Sequence, residues 1–135
     1  MNYIKVCKLD KINTDSLIEI VKSTQDSDMI GCIVCFMGIV KKETDNGVID
    51  KLHMDVDERT ERKLKDIADN INKKYDVVNT LIYHNLNDIK CGEPIVYVSV
   101  SARYRIDAFK AVQEIVDRIK NEIHAGLQDG KSGKS

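Results

Sequence analysis

The chain is 135 residues long, 42% hydrophobic and 32% charged, with 21 Lys+Arg against 22 Asp+Glu for a net charge of −1. That length fits one domain able to fold without disulfides or metal, and the apolar content excludes disorder for its bulk. The even charge balance excludes a globally basic nucleic-acid binder, and no apolar run approaches the roughly 20 residues of a membrane-spanning helix.

Residues 1–11 hold no uninterrupted apolar stretch of the secretory type, so a cytoplasmic protein with reduced thiols is expected. Tyr3 to Leu9 is predicted as a short strand. Thr14 to Ser23 is predicted helical, with Leu17, Ile18 and Val21 on one face and a cap from Asp15 or a Ser16–Glu19 capping box. Ile30 to Val40 is a long β-branched and aromatic strand, and Gly38 within it marks a bulge or a close backbone approach. Cys32 and Cys35 spell Cys-x-x-Cys there. Residues three apart in a strand point to opposite faces, so the pair reads as two small core residues, not a metal or redox site.

Asn46-Gly47 signals a hairpin turn into a returning strand from Val48 to Val56. Asp57 to Tyr75 is an amphipathic helix, with Leu64, Ile67, Ala68, Ile71 and Tyr75 at helical spacing. A strand at Val77 to His84, a loop at Asn85 to Pro94, a strand at Ile95 to Ser101 and a helix at Asp107 to Ile123 follow. Residues 124–135 are rich in Gly, Ser and Lys and are expected as a flexible tail, leaving 1–123 as the single domain. Three helices with a hairpin-connected antiparallel sheet define an α+β class.

Gly126 to Ser132 looks like a phosphate loop, but three residues separate its glycines instead of four and it follows a helix. His53, His84 and His124 fall on different elements and read as isolated polar residues. The basic residues at element ends are more informative: Lys41 and Lys42, Arg103 and Arg105, and Lys120 beside the apolar stripe of the last helix. Lys120 is either a snorkelling lysine whose stem covers the core or, with Lys41 and Arg105, part of a site for an anionic ligand.

These residues resemble the large, catalytic subunit of molybdopterin synthase. The family strand G-x-x-x-x-F-x-G-x-V-R appears as Gly31 to Lys41, with lysine for arginine. Its H-R-x-G-x-L-x-x-G-[DE] loop appears as His84 to Glu93, with Asn85 and Asn87 for the arginine and first glycine; asparagine tolerates a left-handed backbone. Its V-x-V-x-x-x-H-R-x-x-A-F turn appears as Val98 to Phe109, with Tyr104 for histidine and Arg105 retained.

The resemblance implies an α/β-hammerhead type of fold, a homodimer, and a heterotetramer with a small ubiquitin-like sulfur-carrier subunit. The carrier's C-terminal thiocarboxylate would deliver sulfur to cyclic pyranopterin monophosphate, forming the molybdopterin dithiolene. No metal or other cofactor is expected in this step. The resemblance places the catalytic lysine at Lys120, with a pKa expected to be lowered by desolvation and nearby cations. It places substrate binding at Lys41, Tyr104 and Arg105 with Ile39, Val40, Leu127, Gln128 and Asp129. The family's P-x-W-K run is absent: His124 and Gly126 stand for its proline and tryptophan, followed by Leu127. The alternative is therefore an impaired relative that binds a ubiquitin-like partner or a pterin without completing the transfer.

Overall fold

A computed structural model describes residues 1–9, 13–44 and 47–124. The chain runs β1 (Asn2–Val6), α1 (Thr14–Lys22), β2 (Cys32–Ile39), β3 (Glu43–Thr44), β4 (Gly47–Val48) and β5 (Lys51–His53). It continues through α2 (Glu58–Lys74), β6 (Val77–His84), β7 (Asp88–Lys90), β8 (Pro94–Ala102) and α3 (Arg105–Glu122). The main sheet has the order β1-β6-β8-β2, with β8 antiparallel to both neighbours and β1 parallel to β6. The α+β class with three helices holds, and β1 adds one parallel pair to an otherwise antiparallel sheet. Among the described residues no helix is long and apolar enough to cross a membrane.

The sheet is covered on both faces, which explains why β8 reads as an almost continuous apolar run. Val96, Val98, Val100 and Ala102 pack with Leu64, Ile67 and Ile71 of α2 and Ala108, Ala111 and Ile115 of α3. Tyr97 alternates to the opposite face, where it meets Leu17 and Val21 of α1 together with Leu81. Leu64, Ile67, Ile71 and Ile115 have no exposed surface. At about 1.5–3 kcal/mol for each fully buried side chain of this kind, these contacts outweigh any local helix propensity in holding α2 and α3.

The helix starts follow from short polar side chains. Asp57 accepts from the main-chain nitrogens of Arg59 and Thr60, and the Thr60 hydroxyl accepts from the Asp57 nitrogen, a capping box that begins α2. At α1 the cap is Asn13, which accepts from Asp15 N at 2.8 Å, not Asp15 or Ser16 as expected. Gly31 brings the start of β2 against the end of β8. Its nitrogen donates to Ala102 O at 2.9 Å, and a Cβ placed there would lie 2.1 Å from Arg103 O. The register of β2 shifts between Gly38 and Ile39, the irregularity that Gly38 signals.

The region between β2 and α2 departs from expectation. Val48 to Val56 is not one returning strand. β4 pairs with β3, whereas β5 pairs with β7, inside the segment expected as a plain loop. Leu52 and Ile89 sit opposite each other in that small sheet and bury a third cluster with Val40 and Met54. Gly47 has φ +112 where the β3–β4 hairpin returns, and Asn46 lies outside the described residues. Asn87 does not adopt a left-handed backbone, since no described non-glycine residue does. Its side chain instead accepts from Val56 N at 2.9 Å and its carbonyl from Met54 N at 2.8 Å, tying the segment after β5 to the loop.

Cys32 and Cys35 point to opposite faces of β2. Cys32 packs against the core under α3, and Cys35 reaches the Ser99 hydroxyl at 3.7 Å on the other face. Cys35 is exposed, so only Cys32 is the core residue expected of both. The expected tail lies outside the described residues beyond His124.

Candidate active site

A cavity of about 320 Å³ opens where the end of β2, the start of β8 and the last turns of α3 meet the β3–β5 segment. Its wall is mostly apolar: Phe36, Ile39 and Val40 from one side, Ile95 and Val96 below, Val116 and Ile119 from α3, and Ile49 and Leu52 across from them. Lys41, Thr44, Lys120 and His124 supply its polar side chains. No aspartate or glutamate side chain is among the described residues of the wall. An apolar cavity whose wall carries two lysines suits a ligand with an aliphatic or backbone stem and an anionic end.

The two lysines are held differently. Lys120 lies half-buried in the last turn of α3, a helix anchored by Ile115 and Ile119. Its amine is therefore carried by a rigid element at the edge of the packed face. Lys41 is exposed and follows β2 just past the register shift, which turns this segment toward the cavity.

Of the residues singled out in the sequence, Ile39, Val40, Lys41 and Lys120 meet at this cavity. Tyr104 and Arg105 do not. They begin α3, while Lys120 ends it, so about 22 Å of helix separates Arg105 from Lys120 at 1.5 Å per residue. The convergence of Lys41, Arg105 and Lys120 expected from the sequence is not met within one chain. Arg105 instead belongs to an exposed surface with Tyr104, Ile106, Phe109 and Lys110. Leu127, Gln128 and Asp129 lie outside the described residues.

Two polar residues that the sequence reading named without a role lie behind the cavity, and the expectation that His84 and His124 are isolated does not hold. Asn85 is fully buried. Its Oδ1 accepts from the nitrogens of Leu9 (3.2 Å) and Leu86 (2.7 Å), and its Nδ2 donates to Pro94 O at 2.8 Å. It thus ties the end of β6 to the start of β8. His84 is buried as well, and its Nε2 lies 2.9 Å from Nε2 of His124 on the cavity wall. Burial lowers the pKa of His84. His124 is pushed down to about 3 by burial, by His84 and by the charge of Lys120. A contact spanning forty positions carries no local pattern, so nothing in the sequence pointed to it.

A sequence profile described as MoaE protein matches residues 8–122. A molybdopterin synthase catalytic subunit from Thermoplasma volcanium is 30% identical over 128 residues, covering 94% of this chain and 90% of that protein. The crystal structure of molybdopterin synthase from Staphylococcus aureus superposes with a TM-score of 0.74 at 26% identity, covering 87% of this chain and 83% of that one. A protein–protein complex of subunits 1 and 2 of the molybdopterin-converting factor from Helicobacter pylori shares the fold at 19% identity, with a TM-score of 0.66 and coverage of 86% of this chain and 77% of that one.

Proposed function

The chain belongs to the MoaE protein family, that of the molybdopterin synthase catalytic subunits, and from this premise we propose that it transfers sulfur to a pterin with Lys120 as the reacting amine. The observation that carries the reading is the placement of Lys120 and Lys41 on one apolar cavity. The proposed donor is the C-terminal thiocarboxylate of a small ubiquitin-like subunit. Its extended tail lies along the apolar wall and its anionic end meets the lysines. The acceptor is cyclic pyranopterin monophosphate. The thiocarboxylate gives up its sulfur and leaves as a carboxylate, with water supplying the replacing oxygen.

Both reactants are anionic, and fixed cations offset the repulsion that opposes their encounter. Lys120 acts on the carbonyl as nucleophile or proton carrier, and Lys41 acts as a point charge. Arg105 suits a bidentate phosphate contact. Its distance from Lys120 means that it serves this cavity only from a second copy of the chain, which supports a homodimer and, with two carriers, a heterotetramer. The exposed side chains of Tyr104, Ile106 and Phe109 beside it fit such a contact. The complex from Helicobacter pylori supports the two-subunit arrangement by fold. We place the reaction in the cytoplasm.

The departure at His124, Gly126 and Leu127 favours a second reading, in which the chain binds partner or pterin without turnover. Incubation with thiocarboxylated small subunit and cyclic pyranopterin monophosphate separates the two. Dithiolene product supports the first reading. Stable complex formation without product supports the second.

A further inference from the structure

His124 lines the cavity and His84 stands behind it, and the group beyond His84 sets the direction of the bond between them. Nδ1 of His84 lies 2.8 Å from the main-chain oxygen of Asn85. A carbonyl only accepts, so this nitrogen carries the proton. A neutral His84 then has a lone pair at Nε2, and Nε2 of His124, 2.9 Å away, donates to it. With its one proton committed there, a neutral His124 keeps an unprotonated Nδ1. Burial, which lowers the pKa of both rings, keeps them neutral. The rings meet edge to face, with planes at 66°, so His84 fixes the plane of the His124 ring as well as its tautomer.

Nδ1 of His124 is open. Among the described residues that are not exposed, Ser101 Oγ alone is a side-chain nitrogen or oxygen buried without a partner. Nδ1 of His124 bonds none of the described residues, so it is reached from the cavity that the half-buried ring lines. The nitrogen of His124 donates to Ile119 O at 3.0 Å, which keeps the chain wound past the end of α3 and holds the ring at the wall.

An extended chain entering this cavity brings its own N–H groups, and an apolar wall makes each of them costly unless an acceptor meets it. Lys41 and Lys120 only donate. The Thr44 hydroxyl donates to Gly47 O at 2.7 Å. His124 offers the lone pair that an incoming N–H needs. At about 320 Å³ the space is near the small end of ligand cavities and suits main chain with little side chain.

We infer that Nδ1 of His124 accepts a main-chain N–H near the anionic end of the carrier tail, while His84 and the Asn85 carbonyl hold the ring in the accepting tautomer. The inference deepens the proposed function, because it rests on an extended, anion-ended tail in this cavity. It does not depend on which cation of the wall meets that end.

Replacing an amide by an ester removes one N–H and leaves the protein untouched. The probes are three octapeptides with a free carboxylate and glycine at the last three positions: one all-amide, and two with the N–H of the last or of the second-last residue replaced by ester oxygen. One of the two esters is expected to bind the full chain about five- to tenfold more weakly than the amide, the scale of one net hydrogen bond. His124→Phe is expected to bind that ester and the amide alike. Proton–nitrogen correlation spectra of the wild-type chain at pH 7 keep the test decisive if the variant folds poorly. They should show the proton on Nδ1 of His84 and on Nε2 of His124, and the Nδ1 signal of His124 should move with the amide peptide and not with that ester. The inference is overturned by the reverse tautomers, by an amide peptide that does not bind at millimolar concentration, or by two esters within about twofold of the amide. A response of Nδ1 to cyclic pyranopterin monophosphate in place of the peptide also overturns it and gives the acceptor to the other substrate. The expected ester effect in a protein without dithiolene-forming activity sustains this inference while defeating the proposed reaction; dithiolene formation with indifferent esters does the reverse.

Discussion

Lys41 and Lys120 line one cavity although Lys41 follows an edge strand and Lys120 ends the last helix. The sheet brings them together: β2 pairs with β8, and α3 packs back across the same two strands. The two cations are thus fixed relative to each other by the core, not by a contact between themselves.

Lys120→Met separates a covering stem from a working amine. Methionine keeps much of the stem's packing, so the thermal midpoint is expected to stay within a few degrees. Dithiolene formation is expected to fall by about 10²–10⁴-fold, the usual contribution of a positioned proton-transfer group. Lys41→Arg should retain activity, because an exposed point charge is replaced by another cation of similar reach. A near-silent Lys120→Met would return this residue to a covering role.

The long elements were legible because their periods are long and strong. β6 runs from Val77 to His84 as read from its apolar sequence, and α2 differs by one residue at each end. The pairing of β5 with β7 was not legible. Asp88-Ile89-Lys90 offers one apolar residue between two charges, and only Leu52 across the pair makes it a strand. Of the site, the placing of Ile39, Val40, Lys41 and Lys120 together was legible, and the remoteness of Arg105 was not taken into account. Arg105 and Lys120 sit on one helix, and their spacing alone separates their ends by about four turns.

Gly31→Ala is expected to destabilise the fold by about 2 kcal/mol or more, because the added carbon would meet a main-chain oxygen 2.1 Å away. Neither β2 nor β8 can withdraw without loosening their ladder. Chemical denaturation checks this: the midpoint should fall while the slope stays unchanged.

His53 gives the β5–β7 pair a pH dependence. Its Nδ1 lies 2.8 Å from Asp88 and its Nε2 3.1 Å from Asp55, so both nitrogens donate when the ring is charged. The bonds to Asp88 and then to Asp55 raise the pKa of His53 above its ordinary 6.5. Its contribution is therefore complete below that value and is lost as pH rises through the raised one. The bond to His53 lowers Asp88 below its ordinary 3.8, so that contribution is complete above 3.8 and is lost as pH falls through the lowered value. Between these limits, amide exchange in Lys51–His53 and Asp88–Lys90 should be slowest. His53→Gln should remove the alkaline-side loosening; an unchanged alkaline limb would refute the assignment.

Replacing Cys32 by valine and Cys35 by alanine is expected to leave sulfur transfer intact. The side chains point to opposite faces of β2 and neither lines the cavity, so they cannot share a metal or form a disulfide without breaking the strand. A small loss of stability should follow from Cys32, which packs against the core. A folded double variant without turnover would mean that the pair has a chemical role.

The distance between Arg105 and Lys120 makes the assembly testable by mixing. Arg105→Ala alone should raise KM more than it lowers kcat, since a phosphate contact acts in the ground state as well as in the transition state. If each cavity draws its arginine from the neighbouring copy, a dimer of one Lys120→Met chain and one Arg105→Ala chain holds one intact cavity and one with both defects. Random reassociation of equal amounts makes half of all dimers of this kind, so activity should recover to about a quarter of wild type. If the arginine acts within its own chain, each mixed dimer has one defect in each cavity and mixing restores nothing. Exchange must be complete, which light scattering and a size-tagged partner would verify before the assay. Recovery near a quarter assigns the Tyr104–Phe109 surface to contact between copies; no recovery after verified exchange rules out a shared cavity.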